Sequence, residues 1–337
     1  MPVIDTLAKR GGNQAVAINP PSSFIDIHLT QHGSNWLWAA FSLFSLFALY
    51  HAAVFVFTSS KKTPLRKAVL AIPFFINSVM VFAYYTYASN LGYTGIPTEF
   101  RHVTTSEGLD VRQIFYSKFV GWFVAWPLVM VLYQMNLSDS SKYKPDTTDE
   151  NYDNSATGGL FVTFINFLEE FCSKFFAIEI WVLGLLVGAL IESTYKWGYF
   201  TIAVFSQLIA MSLIVKSLLT SGTGGSKGKM VGRGLIGFQL IVWMLQSICW
   251  GLSEGGNVIQ PDSEAVFYGI LDLCTFAFIP TFLTYINLSS LDEGFFHKFD
   301  IIHRSNNEKI VDTPRHSGDT AVPSNPNEPV PEPEQTV

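Results

Sequence analysis

Charged side chains are scarce in this sequence. Asp, Glu, Lys and Arg make up 14% of the 337 residues, whereas a soluble globular chain carries about 25%. Hydrophobic residues account for 49%, so the composition argues against a soluble domain and predicts a membrane protein. The formal net charge of −6 comes from acids gathered in one loop and in the C-terminal tail, and nothing in this pattern indicates a nucleic-acid partner.

Cysteine and histidine are too few and too scattered to form a recognisable site. The three cysteines all lie in apolar segments, and their spacing fits neither a disulfide framework nor a metal site. The seven histidines are spread along the chain, and no HExxH or CxxC motif occurs. We therefore expect neither an enzyme nor a metal centre.

Seven apolar runs are long enough to cross about 30 Å of hydrocarbon. A single span in lipid must be helical, because each backbone polar group needs a partner within the segment. The fourth run begins earlier, near Phe161, if the amphipathic stretch that precedes it is also helical. The pattern predicts an all-α membrane protein, a seven-transmembrane helix bundle with spans at 36–58, 68–88, 114–135, 175–191, 197–219, 231–252 and 265–285.

The distribution of Lys and Arg predicts the orientation of these spans. Most of the 21 Lys and Arg residues lie in alternate loops and in the tail, the side that faces the cytosol under the positive-inside rule. We expect an extracellular N-terminal segment at 1–35, the bundle at 36–290 and a cytosolic tail at 291–337. The tail is rich in Pro, Asn and Glu and is predicted to be disordered. The N-terminus has no signal-peptide core, so we expect the first span to direct targeting.

Two charged residues stand inside predicted spans at comparable depth from the external side. Lys118 lies in the third span and Asp272 in the seventh. Each charge is costly alone in hydrocarbon, and pairing offsets part of the desolvation, so we predict a buried ion pair. In the alternative, Lys118 reaches the outer interface and Asp272 is neutral. A third such residue, Glu179, has no partner that the sequence identifies.

Aromatic residues of the third and sixth spans are predicted to lie at a depth similar to that of Lys118 and Asp272. Trp122 lies one turn from Lys118, and Trp243, Gln246 and Trp250 share one face of the sixth span. These residues predict a lined central cavity, although such stripes also serve simple packing.

Two acids flank the short connection between the sixth and seventh spans. Glu254 and Glu264 are predicted to form an external acid pair that shares a proton, because like charges held close together disfavour double ionisation. The alternative is two separate, solvated loop acids.

Several long strings resemble a known family. FYSKFVGWFVAWP, WMLQSICWGLSEGG and EAVFYGILDLC are similar to helices 3, 6 and 7 of the microbial rhodopsins, and YASNLGYTGIP is similar to the exit of their helix 2. NPPSSFIDIHLTQHGSNWLWA, STYKWGYFTI and GGNVIQPDSEAVFYGILDL resemble the fungal opsin-related branch that includes the heat-shock membrane proteins. The resemblance covers about residues 36–290 and implies a bundle of microbial-rhodopsin type.

The resemblance also implies that light-driven chemistry is lost. In pumping members, helix 7 carries an acid and, one turn later, the lysine that binds retinal as a Schiff base. Asp272 matches the acid, but Phe276 takes the lysine's position, and no lysine occurs over 231–297. The positions of the helix 3 proton acceptor and donor are Gly121 and Leu132. We therefore expect no covalent retinal.

Other family positions are kept. Lys118 stands at the helix 3 arginine, and Trp243 and Trp250 match the tryptophans that sandwich the retinal ring. Glu254 and Glu264 match the external proton-release acids once a one-residue deletion is allowed between Trp250 and Glu254.

The resemblance implies a stress-associated protein of the plasma membrane, in contact with lipid, that restrains the plasma-membrane proton ATPase. Two alternatives stay open. One is retinal-independent ion or proton transport through Lys118, Asp272, Glu254 and Glu264. The other is a non-covalent sensor of a small apolar ligand, in which Phe276 fills the volume that the lysine vacates.

Overall fold

Seven long helices dominate the computed structural model, which describes residues 12–58, 64–137, 152–220 and 227–289. Each is long and apolar enough to cross a membrane, and the prediction of a seven-helix membrane protein is confirmed. The helices are α1 (Gln31–Phe57), α2 (Pro64–Ala88), α3 (Ser117–Leu137), α4 (Tyr152–Ala189), α5 (Lys196–Thr220), α6 (Lys227–Gly255) and α7 (Pro261–Ser289).

The helix limits differ from the predicted spans by a few residues at most ends, and three of these differences have an identifiable reason. α1 begins at Gln31 rather than 36, because the Thr30 side chain caps it by accepting a hydrogen bond from His32 N. α3 begins at Ser117, since Ile114 belongs to a strand. α4 begins before Phe161, as the amphipathic stretch that precedes the fourth apolar run indicated. The predicted tail at 291–337 lies outside the described residues.

A β-hairpin between α2 and α3 was not predicted. Strands β1 (Tyr93–Pro97) and β2 (Val111–Phe115) are antiparallel, with Gly95 opposite Gln113. The segment before α1 adds an isolated parallel bridge between Ile27 and Arg112. This segment also reaches α7, because Thr30 N donates to Asp262 Oδ1 at 2.8 Å. The hairpin and the N-terminal segment therefore join the ends of α1, α3 and α7.

Tryptophan supplies much of the core. The largest fully buried side chains are indoles from α3, α4 and α6. Large apolar residues such as Leu49, Phe82 and Phe205 are instead exposed on the outer helix surfaces, as expected for spans that contact lipid. α3 and α7 are the most enclosed of the seven spans, so the bundle has a centre in which polar side chains are costly.

Two π-helical turns interrupt the α-helical hydrogen bonding. One, Gly251–Gly255, ends α6, and the other, Leu273–Phe278, lies in the middle of α7. π-turns are rare and are frequently found at functional sites. The second contains Phe276 and directly follows Asp272.

Candidate functional site

Phe276 lies in the centre of an aromatic cluster. Its side chain is 0% exposed and meets the Trp126 ring edge-on, with 5.6 Å between centroids. Trp126 in turn contacts Trp243 at 5.0 Å and Trp181 at 5.9 Å. Trp181 stacks on Trp122 at 5.6 Å. Three predicted cavity residues, Trp122, Trp243 and Phe276, thus belong to one group of packed rings.

Trp250 lies in a separate group of rings. It stacks on Phe200 with 4.9 Å between centroids, and its indole nitrogen donates to Leu185 O at 3.0 Å. It therefore packs α6 against α4 and α5. Trp181, whose indole bridges the rings of α3 and α6, was not predicted to belong to the site.

The Asp272 carboxylate accepts hydrogen bonds from three neutral donors. Trp122 Nε1 lies 3.0 Å from both carboxylate oxygens, Tyr84 donates to Oδ2 at 2.9 Å, and Gln246 Nε2 donates to Oδ1 at 3.0 Å. Asp272 is 1% exposed. Gln246, predicted to line a cavity, is thus a partner of this carboxylate.

Lys118 pairs with two acids, and neither is Asp272. Its ammonium forms ion pairs with Glu254 and, at 2.5 Å, with Glu264, and it lies 4.0 Å from the centroid of the Tyr268 ring. The predicted Lys118–Asp272 ion pair is therefore wrong. The reason is depth: Glu264 precedes Asp272 on α7 by about 12 Å of helix, and the flexible lysine stem extends outward to the nearer acids.

Arg112 completes this group from β2. Its guanidinium donates to Glu264 Oε2 at 2.7 Å, to Asn257 Oδ1 at 2.8 Å and to Ile259 O at 2.7 Å. Its side chain is 1% exposed. We call Arg112, Lys118, Glu254 and Glu264 the external charge network, after the side of the membrane that the Lys and Arg distribution predicts for them. It contains two cations and two acids, so its formal charges balance.

The external charge network decides between the two predictions for the acids. Glu254 and Glu264 are 5% and 1% exposed, so the alternative of two solvated loop acids is wrong. Lys118 holds them together, and Tyr268 also donates to Glu254 Oε2 at 3.1 Å. Whether the two acids share a proton stays a prediction. Arg112 was overlooked because its strand was not predicted.

The residues at the two positions that the resemblance assigned to the proton acceptor and donor, Gly121 and Leu132, pack between helices. A Cβ at Gly121 would lie 2.7 Å from Ala83 Cβ, so Gly121 lets α2 and α3 approach closely. Leu132 is 0% exposed, and its carbonyl accepts from Asn287 Nδ2 at 2.9 Å.

One further acid stands apart from this site. Glu179 on α4 is 6% exposed, and neither carboxylate oxygen has a hydrogen-bond partner in the described part of the chain. Within the same residues, no group of three or more His, Cys, Asp or Glu side chains is arranged to hold a metal ion.

Fungal proteins match most of this chain. The 30 kDa heat shock protein of Saccharomyces cerevisiae is 39% identical over 344 residues, covering 96% of each chain. Protein FDD123 of Trametes versicolor is 34% identical and covers 78% of this chain and 79% of its own length. Opsin-like protein carO of Fusarium fujikuroi is 32% identical, with coverage of 77% and 76%. No family model matches the chain.

Solved structures with the same fold are microbial rhodopsins. The light-driven proton pump LR (Mac) from Leptosphaeria maculans has a TM-score of 0.60 at 20% identity, covering 79% of this chain and 98% of its own. Acetabularia Rhodopsin I also has a TM-score of 0.60, at 19% identity, with coverage of 78% and 97%. The fungal relatives show that the chain belongs to the fungal opsin-related family that includes the heat-shock membrane proteins, and its fold is that of the microbial rhodopsins.

Proposed function

We propose that this stress-associated, opsin-like membrane protein works without light and regulates another protein of the plasma membrane. The observation that carries the proposal is Phe276, which stands at the family's retinal-lysine position and is buried among tryptophans. A phenylalanine has no amine, so it cannot form a Schiff base. A regulator needs no such chemistry, only a stable bundle with surfaces for a partner.

The residues around Phe276 do not fit a covalently bound retinal. The sequence offers no lysine over 231–297, which excludes a shift of the attachment point along α7. The rings of Trp126, Trp181 and Trp243 lie 5.0 to 5.9 Å apart by their centroids, in contact with one another at the site that would have to open.

Borohydride reduction tests this part of the proposal. Purified full-length protein is incubated with all-trans retinal, reduced and analysed for a covalent adduct by mass spectrometry. We expect no visible absorption band before reduction and no covalent adduct after it. The apoprotein of a retinal-binding fungal rhodopsin, treated in parallel, gives the band before reduction and the adduct after it. A stable adduct on this chain would reject the proposal.

The partner we propose is the plasma-membrane proton ATPase, with the N-terminus of this chain outside and the C-terminus in the cytosol. Support comes from the 39% identical relative, whose name is 30 kDa heat shock protein, and from the association of that branch with restraint of this enzyme. The charge-balanced external network also supports a static outer end, which suits a regulator better than a pump.

ATP-driven proton uptake in plasma-membrane vesicles tests the partner. Vesicles come from heat-stressed cells with and without this chain, and unstressed cells provide the control. We expect higher uptake per ATPase molecule when the chain is absent, and only after stress. Equal uptake in both stressed preparations would remove the ATPase from the proposal.

Proton transport without retinal is a second candidate, because Asp272 is a buried carboxyl group bound only by neutral donors. Leu132, at the family's internal donor position, weakens it. Proton flux in liposomes separates the two: flux that is lost in Asp272→Asn supports transport, and the absence of flux in the unmodified protein rejects it.

A non-covalent apolar ligand is a third candidate with less support, because packed rings lie where the cavity was expected. Mass spectrometry of molecules that copurify with the full chain tests it. We expect ordinary membrane lipids alone; a stoichiometric sterol or carotenoid would favour the sensor.

A further inference from the structure

The Asp272 carboxyl joins four helices at the centre of the bundle. Tyr84 reaches it from α2, Trp122 from α3 and Gln246 from α6, while Asp272 itself lies on α7. All four side chains are at most 1% exposed. A change in the state of this one carboxyl therefore acts on four spans at once.

No cation in the described ranges forms an ion pair with Asp272. The nearest structural candidate, Lys118, is held by Glu254 and Glu264. An ionised carboxylate in a membrane interior is costly without a counter-charge, because hydrogen bonds from neutral groups replace only part of its hydration. Proton binding is the direct way for such a group to lose its charge.

The surrounding side chains satisfy both charge states. The carboxylate accepts the three observed hydrogen bonds, and Trp122 can only donate. Gln246 Oε1 is buried and has no hydrogen-bond partner among the described residues. If the Gln246 amide turns over, this oxygen takes the place of Nε2 and accepts a hydrogen bond from the O–H group of the neutral acid. The Tyr84 hydroxyl can likewise donate or accept.

We propose that Asp272 is a reversible proton-binding site, with the Gln246 amide turning over as the proton binds and leaves. Among the described residues, the other titratable or charged groups that act on it are Tyr84 on α2, Lys118 on α3 and Cys274 on α7, and Tyr87 and Cys249 in turn act on Tyr84. The ligand is a proton, and the site needs neither retinal nor the partner proposed above. It couples proton occupancy to the packing of α2, α3, α6 and α7.

Infrared spectroscopy of the full chain in lipid nanodiscs tests the proposal, because a protonated carboxyl group has a C=O stretching band that a carboxylate lacks. Aspartate carrying carbon-13 in its side-chain carboxyl shifts the bands of aspartic acids and leaves those of glutamic acids, including Glu179, in place. We expect an isotope-shifted band that grows as the pH falls and is absent from Asp272→Asn. The matched control, Asp262→Asn on the same helix, keeps the band.

A band that persists in Asp272→Asn, or an Asp272 signal that does not change with pH, would overturn the proposal. If Asp272→Asn does not fold, labelled Tyr84→Phe replaces it. Removal of this hydroxyl changes the hydrogen bonding of the carboxyl, so the band should shift in frequency. An unchanged frequency in Tyr84→Phe would overturn the assignment to Asp272.

Discussion

Arg112 and Glu264 form a buried ion pair, with 2.7 Å between the guanidinium and carboxylate and 1% exposure of each side chain. Their partnership links β2 to α7. The same arginine donates to Asn257 and Ile259 in the connection between α6 and α7. Three separate parts of the chain therefore depend on one guanidinium.

Replacement of this arginine is the first prediction. Arg112→Ala leaves Glu264 short of one counter-charge in a buried site, and we expect a loss of about 3 to 5 kcal/mol of stability. Thermal unfolding in detergent measures the effect. Arg101→Ala is the control, because Arg101 is 78% exposed in its pair with Asp110 and should contribute less than about 1 kcal/mol. Equal effects of the two variants would contradict the network.

A double substitution tests the charge balance of the network. Lys118→Met leaves two acids against one cation and should destabilise the bundle by about 3 kcal/mol or more. Adding Glu254→Gln restores the formal balance, so the double variant should be more stable than Lys118→Met alone. If the losses of stability of Lys118→Met and Glu254→Gln simply add in the double variant, the balance of charge does not matter.

Truncation of Phe276 tests the packing of the aromatic cluster. Phe276→Ala leaves a cavity beside Trp126, and the expected loss is about 3 to 5 kcal/mol of stability. Phe282→Ala on the same helix provides the control, because Phe282 is 58% exposed. We expect thermal unfolding to show a larger loss of stability for Phe276→Ala than for Phe282→Ala. Comparable losses of stability would mean that the rings around Phe276 are loosely packed.

Gly121 is predicted to be a packing requirement of α2 and α3. Gly121→Ala places a Cβ 2.7 Å from that of Ala83, and overpacking of this kind costs about 1 to 3 kcal/mol. Ala83→Gly in the same chain removes the opposing atom and should recover much of the loss. If Gly121→Ala is as stable as the unmodified protein, the helices adjust freely and the argument fails.

Asp26 makes the end of the bundle that carries the β-hairpin sensitive to acid. Burial raises the pKa of this carboxyl, but hydrogen bonds from Thr105 and from the backbone of Val111 and Asp110 outweigh that effect and hold the pKa below its ordinary value. Its folded pKa thus lies below its unfolded pKa, so its stabilising contribution is present above the unfolded pKa. The contribution is lost as the pH falls through the folded pKa.

Hydrogen exchange at the Val111 amide, which donates to Asp26 Oδ1 at 2.8 Å, measures this loss. We expect protection to decrease on acidification in the unmodified chain. In Asp26→Asn, protection should be lower at neutral pH and should not respond to acid in this range. A similar response in both chains would assign the effect to another group.

Apolar length predicted all seven spans, because the cost of unpaired backbone in lipid leaves few other structures. The same signal does not detect a hairpin, and the strand that carries Arg112 was overlooked for that reason. Sequence resemblance assigned Phe276 to the retinal-lysine position and the two glutamates to the external end. The partner predicted for Lys118 was wrong, because the choice among Glu254, Glu264 and Asp272 depends on the depth of each acid in the bundle, which the sequence does not show.

The external charge network is complete only when the last span is present. Arg112 and Lys118 come early in the chain, Glu254 ends the sixth span, and Glu264 arrives only with the seventh. A chain halted before its last span would hold two positive groups against a single negative one. The formal charges of the network therefore balance only when the seventh span is in place.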